Sequence, residues 1–147
     1  MYLLDTNHCS RVIFGDTRII EAASQKGVEH LCTCTIVQGE LIYMVEKSQQ
    51  QAANRAILAE FLRDISMYQI NEQTGQIYGE LKARVFNHFA PKDPSKKRKA
   101  TTTALGFGDN DLWIASVALQ HSLTLISCDR DFQRLQEAHP LPTESWM

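Results

Sequence analysis

The stretch Met1–Ser10, MYLLDTNHCS, decides how the chain is read. Tyr2, Leu3 and Leu4 form a short apolar run that stops at Asp5. Such a run reads as a strand buried on both faces. Asp5 then stands at the strand's C-terminal end, and in open parallel α/β sheets ligands bind beyond the carboxyl ends of the strands. A second reading stands beside this one. Asp, Thr and Asn all favour caps and turns, so Asp5 can simply open a helix. On Asp5 alone the two weigh the same. Other acids converging on it would separate them.

Outward from this stretch, strands and helices alternate. A short helix is predicted over Cys9–Phe14 and is broken by Gly15–Asp16. Asp16 or Thr17 caps a second helix, Arg18–Lys26, with Gly27 as its stop signal. Glu29–Cys34 reads as a strand around Leu31 and Cys32. Thr35 to Gln38 has the form of a capping box and opens a long helix. Its apolar positions Ile36, Val37, Leu41, Ile42, Met44 and Val45 recur near helical period. Asn54–Ile65 is its antiparallel partner, and Ser66–Ile70 a short strand. Thr74–Phe89 is helical, with Ile77, Leu81, Val85 and Phe89 at four-residue spacing. Pro91–Thr103, PKDPSKKRKATTT, holds two prolines and four consecutive basic residues and reads as a flexible, irregular loop. Leu112–Leu119 is apolar nearly all round, as a helix in the centre of a fold is. Leu123–Ser127 is a strand, Arg130–Glu137 a short helix, and Pro140–Met147 a tail whose last strand ends at Trp146. This alternation implies one α/β domain over residues 1–147, built on a mainly parallel sheet with helices on both faces.

The chain's 147 residues suffice for a proper core. Its net charge of −2 carries no global signature of nucleic-acid binding, which leaves only a local patch for that role. No apolar run approaches the roughly 20 residues that span a bilayer. No basic segment followed by a long apolar core marks a signal peptide. Cys9, Cys32, Cys34 and Cys128 show no CxxC spacing, so a reducing cytoplasm and no zinc site are expected.

The carboxylates can now be placed. Asp5 ends the first strand, and Asp129 follows the strand Leu123–Ser127. Glu40 lies about one turn into the helix after the second strand. Asp109 and Asp111 open the buried helix. Helices in such a sheet begin at the strands' C-terminal edge, so these groups face one end of the molecule. Four carboxylates in one crevice repel each other unless cations compensate. Oxygen-only ligands favour hard Mg²⁺, or Mn²⁺, over zinc. Asp111 shares a helix face with the small residues Ala115 and Ala118 and is the expected inward ligand. Asp109, after Gly108, is placed as a cap or an outer group, and Asp131 as a cap outside the ligand set. Thr6 and Asn7 are expected around the ligands. Asp16, Asp64, Asp93, Glu21 and Glu60 read as caps or solvated faces. His8, His30, His88, His121 and His139 are scattered without ligand spacing and read as surface or linker residues.

Several stretches together resemble the PIN domain, and more narrowly the VapC-type toxins of bacterial toxin–antitoxin pairs. They are the opening LLDTN, Glu40 in its helix, the run GDNDLWIASVAL, the run TLISCDRDF and the ending PTESWM. The resemblance implies a three-layer α/β/α fold with a protruding helix pair. It implies Asp5, Glu40, Asp111 and Asp129 as the metal-binding acids and Ser127 as a hydroxyl beside them. It also implies RNA as substrate and a small antitoxin as inhibitor; a pairing of two copies of the chain is expected as well. Two features depart from the pattern: the long basic loop Pro91–Thr103 and the additional acid Asp109.

Three functions fit an acidic pocket on such a sheet. The first is a Mg²⁺-dependent endoribonuclease, which needs no side-chain nucleophile. On this reading Lys96, Lys97, Arg98 and Lys99 reach the crevice on their loop and contact phosphates without reading sequence. The second is a phosphoacceptor domain of response-regulator type. That would want two adjacent acids after the first strand and a Lys after a late one, whereas Asp5 stands alone and Leu123–Asp129 has no Lys. The third is a binding scaffold without activity, which the full set of acids disfavours.

Overall fold

The computed structural model describes residues 1–147. The apolar run after Met1 forms β1 (Tyr2–Leu4), and α1 (Thr6–Ile13) follows at once. The helix starts three residues ahead of the expected Cys9 because Asp5 caps it, Oδ1 accepting from the His8 backbone N–H at 2.7 Å. Next come α2 (Thr17–Lys26), capped by Asp16, and a 3₁₀ turn at Val28–His30. Gly27 makes that junction at φ +87°, a conformation that favours glycine. β2 (Leu31–Cys34) leads into α3 (Thr35–Glu46). The capping box expected at Thr35 does not form. Thr35 is already helical, and Cys34 is the N-cap without a side-chain hydrogen bond.

α4 (Gln51–Asp64) begins before the expected Asn54, in a turn fastened by Asn54 Nδ2 donating to Ser48 Oγ at 2.9 Å and by the Arg55–Glu46 ion pair. β3 (Ser66–Tyr68) precedes α5 (Glu72–Phe89). Here a capping box does form: the Asn71 side chain accepts from Thr74 N–H while Thr74 Oγ1 accepts from Asn71 N–H. The basic stretch is not irregular throughout. Asp93 accepts from the N–H groups of Ser95 and Lys96, Pro94 takes the first helical position, and α6 (Pro94–Lys99) results. The last elements are α7 (Asp109–Gln120), β4 (Thr124–Ile126), α8 (Arg130–Ala138) and a β5 of two residues, Thr143–Glu144, so that Trp146 lies beyond the strand.

The sheet order is β3-β2-β1-β4-β5 and every pairing is parallel. β1 is central, with Leu3 opposite Cys32 on one side and Leu125 on the other. Helices cover the sheet, and the core runs from Leu3, Leu4, Leu125 and Ile126 into Val37 and Leu41 of α3 and Leu81 and Val85 of α5. α7 buries Leu112, Ile114, Ala115, Ser116, Val117 and Ala118, which accounts for its lack of a polar face. No helix is long and apolar enough to cross a membrane.

Leu125 is fully buried in a strand paired on both sides. Leu125→Ala is expected to cost about 2–5 kcal/mol of unfolding free energy, because a cavity opens between layers. Ile57→Ala, at a side chain 42 % exposed on α4, should cost under about 1 kcal/mol. Urea unfolding followed by circular dichroism compares them.

Candidate active site

Parallel pairing brings the C-terminal ends of β1, β2 and β4 to one edge, and the elements that follow deliver the polar groups there. A crevice of about 330 Å³ lies at this edge, lined by Asp5, Glu40, Asp111 and Asp129 together with Thr6 and Asn7. Tyr43 of α3 stands on its rim, 64 % exposed. All four expected ligands therefore share one crevice.

Asp5 fulfils both of its readings. It caps α1 and lines the crevice, almost fully buried. Its Oδ1 takes the His8 backbone N–H and faces His8 Nδ1 at 2.9 Å. His8 is thus no surface residue: it is buried against Trp146, edge to face, and its Nε2 has no partner. The helix register that places residue 8 one turn after a capping Asp5 carried this signal.

Glu40 is oriented at both oxygens. Thr6 Oγ1 donates to Oε2, and Asn110 Nδ2 donates to Oε1 at 2.7 Å. Asn110 was not singled out by sequence; its place between two acids hid it. Asp129 caps α8, accepting from Asp131 N–H at 2.9 Å, while its own N–H donates to the Oγ of buried Ser127 at 3.0 Å.

The tightest grouping differs from the expected one. Carboxylate oxygens of Asp111, Asp129 and Asp131 all lie within 4.8 Å of one another. Asp131 belongs to this group because the first turn of α8 carries it back over Asp129. Asp109 is neither a cap nor part of the crevice. Gly108 is the N-cap of α7, and Lys82 Nζ and the Tyr78 hydroxyl hold Asp109 Oδ1 at 2.7 and 2.8 Å. The one Lys or Arg paired with an acid of the group is Arg134. Its Nη1 lies 3.2 Å from Asp131 Oδ1, and its Nη2 donates to Leu105 O at 2.9 Å.

This crowding raises the Asp111 carboxyl from its ordinary value of 3.8 to about 7, chiefly through burial, then through repulsion by Asp129, Glu40, Asp131 and Asp5. Because the unfolded value is lower, the unfolded chain binds fewer protons between about pH 4 and about pH 7. Stability present at the acid end is therefore lost as pH rises through that window. A displacement of that size corresponds to about 4 kcal/mol unscreened, and water reaching this half-buried carboxyl reduces it to about 1–2 kcal/mol. In EDTA, unfolding free energy is expected to fall by that amount from about pH 5 to about pH 8. Asp111→Asn should flatten the profile, and millimolar Mn²⁺ should restore stability at the upper end. Urea titrations across pH read all three.

The model of the PIN domain family matches residues 2–138. A curated relative, "Ribonuclease VapC2" of Haemophilus influenzae, is 29 % identical over 147 residues, covering 99 % of this chain and 98 % of its own. The solved structure of VapBC2 from Rickettsia felis, bound to a DNA fragment from their promoter, contains a chain with TM-score 0.77 and 26 % identity, over 99 % of this chain and 98 % of that one. DNA-bound VapBC from Salmonella typhimurium shares the fold at TM-score 0.80 and 23 % identity, over 99 % of this chain and 98 % of that one. A match running from β1 through α8 takes in every carboxylate of the crevice, and the chain belongs to the PIN domain family.

Proposed function

We propose that the chain is an endoribonuclease dependent on Mg²⁺ or Mn²⁺, and the toxin of a type II toxin–antitoxin pair acting in the cytoplasm. The observation that carries the reading is the crevice itself: four carboxylates line it at one sheet edge, and a fifth, Asp131, lies beside two of them with Arg134 as its cation. The donor set fits a hard divalent cation, being all oxygen with no thiolate. Asp111, Asp129 and Asp131 would hold it from α7 and α8, with Asp5 and Glu40 completing the set. Bound there, such a cation supplies an activated water and charge neutralisation at a phosphodiester.

The chain's own residues supply orientation. His8 fixes one Asp5 oxygen, which leaves the other for the crevice. Thr6 and Asn110 hold the Glu40 carboxylate, and Ser127 holds the backbone of Asp129. With its carboxyl raised to about 7, Asp111 is only partly ionised near neutral pH, and a cation bound beside it would favour the carboxylate.

The inhibitor reading is supported by an apolar groove of about 230 Å³ on the other side of α1. Val12, Ile20, Ala23, Phe61 and Ile65 line it, and Val28, 69 % exposed, lines it too. A groove of this kind takes an apolar helix or strand of a partner. It lies between α2 and α4, and a second apolar groove of about 210 Å³ lies on the pair α3–α4, lined by Ile42, Val45, Leu58 and Leu62. The H. influenzae relative is named a ribonuclease, and the R. felis and S. typhimurium structures are VapBC assemblies. The thiols of Cys9, Cys32 and Cys34 are buried and unpaired, which suits a reducing compartment.

Purified protein incubated with total RNA should cleave it in Mg²⁺ and not in EDTA. Asp5→Asn should lower the rate by more than about 100-fold, the upper range for groups that only support a ligand. It should melt no lower than wild type in EDTA, because Asn keeps the oxygen that caps α1 and removes one repelling charge. Retained cleavage in Asp5→Asn, or cleavage indifferent to EDTA, overturns the reading.

A further inference from the structure

Positive charge in this acidic chain is concentrated in one place. Between Lys82 and Lys99 the sequence carries seven Lys or Arg and one carboxylate, Asp93, which is the N-cap of α6. The whole chain has 15 Lys or Arg against 17 Asp or Glu, so the rest of the molecule is strongly acidic. Lys96, Lys97, Arg98 and Lys99 are all exposed and none forms an ion pair, unlike Lys26, Arg55, Lys82 and Arg134.

The same segment is flanked by a groove, and its C-terminal root is tied to the acids. An open groove of about 530 Å³ runs between α5 and the turn after α6, lined by Lys82 and Asn87 on one side and Thr101, Thr102 and Thr103 on the other. Thr101 lies two residues after Lys99, and Lys82 holds Asp109, two residues before Asp111. The root of the segment is clamped as well. Arg134 binds Leu105 O with one nitrogen and Asp131 with the other, and stacks over Phe107, 4.4 Å from its centroid. The groove thus lies beside the turn that follows the four unpaired cations, and the clamp ties the far end of that turn to Asp131.

We infer that α6 and this groove form the binding track for the phosphate backbone of a single RNA strand, delivering it to the crevice without reading its sequence. This rests on the nuclease reading and adds to it how an acidic site takes an anionic substrate. Carboxylates that gather divalent cations repel phosphates, and cations on a separate segment offset that repulsion by phosphate contact. Thr and Asn side chains along the groove supply uncharged donors to the same oxygens.

The test is equilibrium binding of a labelled single-stranded RNA of about 20 nucleotides, followed by anisotropy from about 50 to about 300 mM salt. It is run in the Asp5→Asn background with Mg²⁺, so that binding is read whether or not the chain is a nuclease. Replacing Lys96, Lys97, Arg98 and Lys99 together by Ala should raise Kd at least about tenfold near 100 mM salt. The slope of log affinity on log salt should flatten by about 2–3, four contacts at about 0.7 each. The side chains are fully outside the core, and an unchanged thermal melt checks that the variant is folded. Lys96→Arg, Lys97→Arg and Lys99→Arg together should keep both quantities, since charge and not shape makes the contact. Arg18→Ala with Arg63→Ala, at exposed cations on α2 and α4, should leave the slope as it was. An unchanged slope and Kd in the quadruple Ala variant overturns the inference. So does loss of poly-glutamate binding with RNA binding intact, which would assign α6 to an acidic polypeptide.

Discussion

β1 is paired on both edges, through Tyr2 and Leu3 to β2 on one side and through Tyr2, Leu3 and Leu4 to β4 on the other, and both pairings are parallel. That three-residue ladder sets everything downstream. Parallel neighbours end at the same edge, so the residue after each strand arrives at the same place: Asp5 after β1, α3 with Glu40 after β2, Ser127 and Asp129 after β4. The Asp5 backbone N–H continues the ladder by donating to Ile126 O at 3.1 Å.

Gathering acids at that edge is costly, and the structure meets the cost locally. Three of the acids sit at helix N-termini: Asp5 on α1, Asp111 on α7 and Asp129 on α8. There the unpaired N–H groups and the helix dipole favour negative charge. Hydroxyl, amide and imidazole groups engage Glu40 and Asp5, while Asp111 has no such donor and its carboxyl is pushed up to about 7. The surplus of negative charge over local cations is what a divalent ion would remove. It also explains why the only basic concentration in the chain lies outside the crevice rather than in it, where it would neutralise the ligands.

The parts of this arrangement that depend on strand ends were legible in the sequence. Asp5, Glu40, Asp111 and Asp129 could be placed together because the alternation of strands and helices puts them at one edge whatever the side-chain details. The remaining features are local. Asp131 joins Asp111 and Asp129 through the geometry of one capped turn, and two-residue spacing alone reads as a cap. Asp109 leaves the crevice because Lys82 and Tyr78 of another helix attract it. His8 was misread since an isolated histidine has no spacing to interpret, although its position one turn after a capping Asp was informative. In the basic stretch, two prolines suggested irregularity, yet Asp93-Pro94 is also a helix start, and the helix formed.

The exposed excursion from Pro91 to Leu105 divides the carboxylates by chain order: Asp5 and Glu40 precede it, Asp111, Asp129 and Asp131 follow it. The two portions are nevertheless knitted through the centre of the sheet by the pairing of β1 with β4 and by the packing of α3 and α5 on α7. The molecule thus has a natural seam. Cut there, it yields two polypeptides that each lack part of the acid set, yet present complementary strand edges and a shared core. Their reunion would rebuild the crevice, so the fold lends itself to fragment complementation, with the chemistry of the site reporting that the two pieces have met.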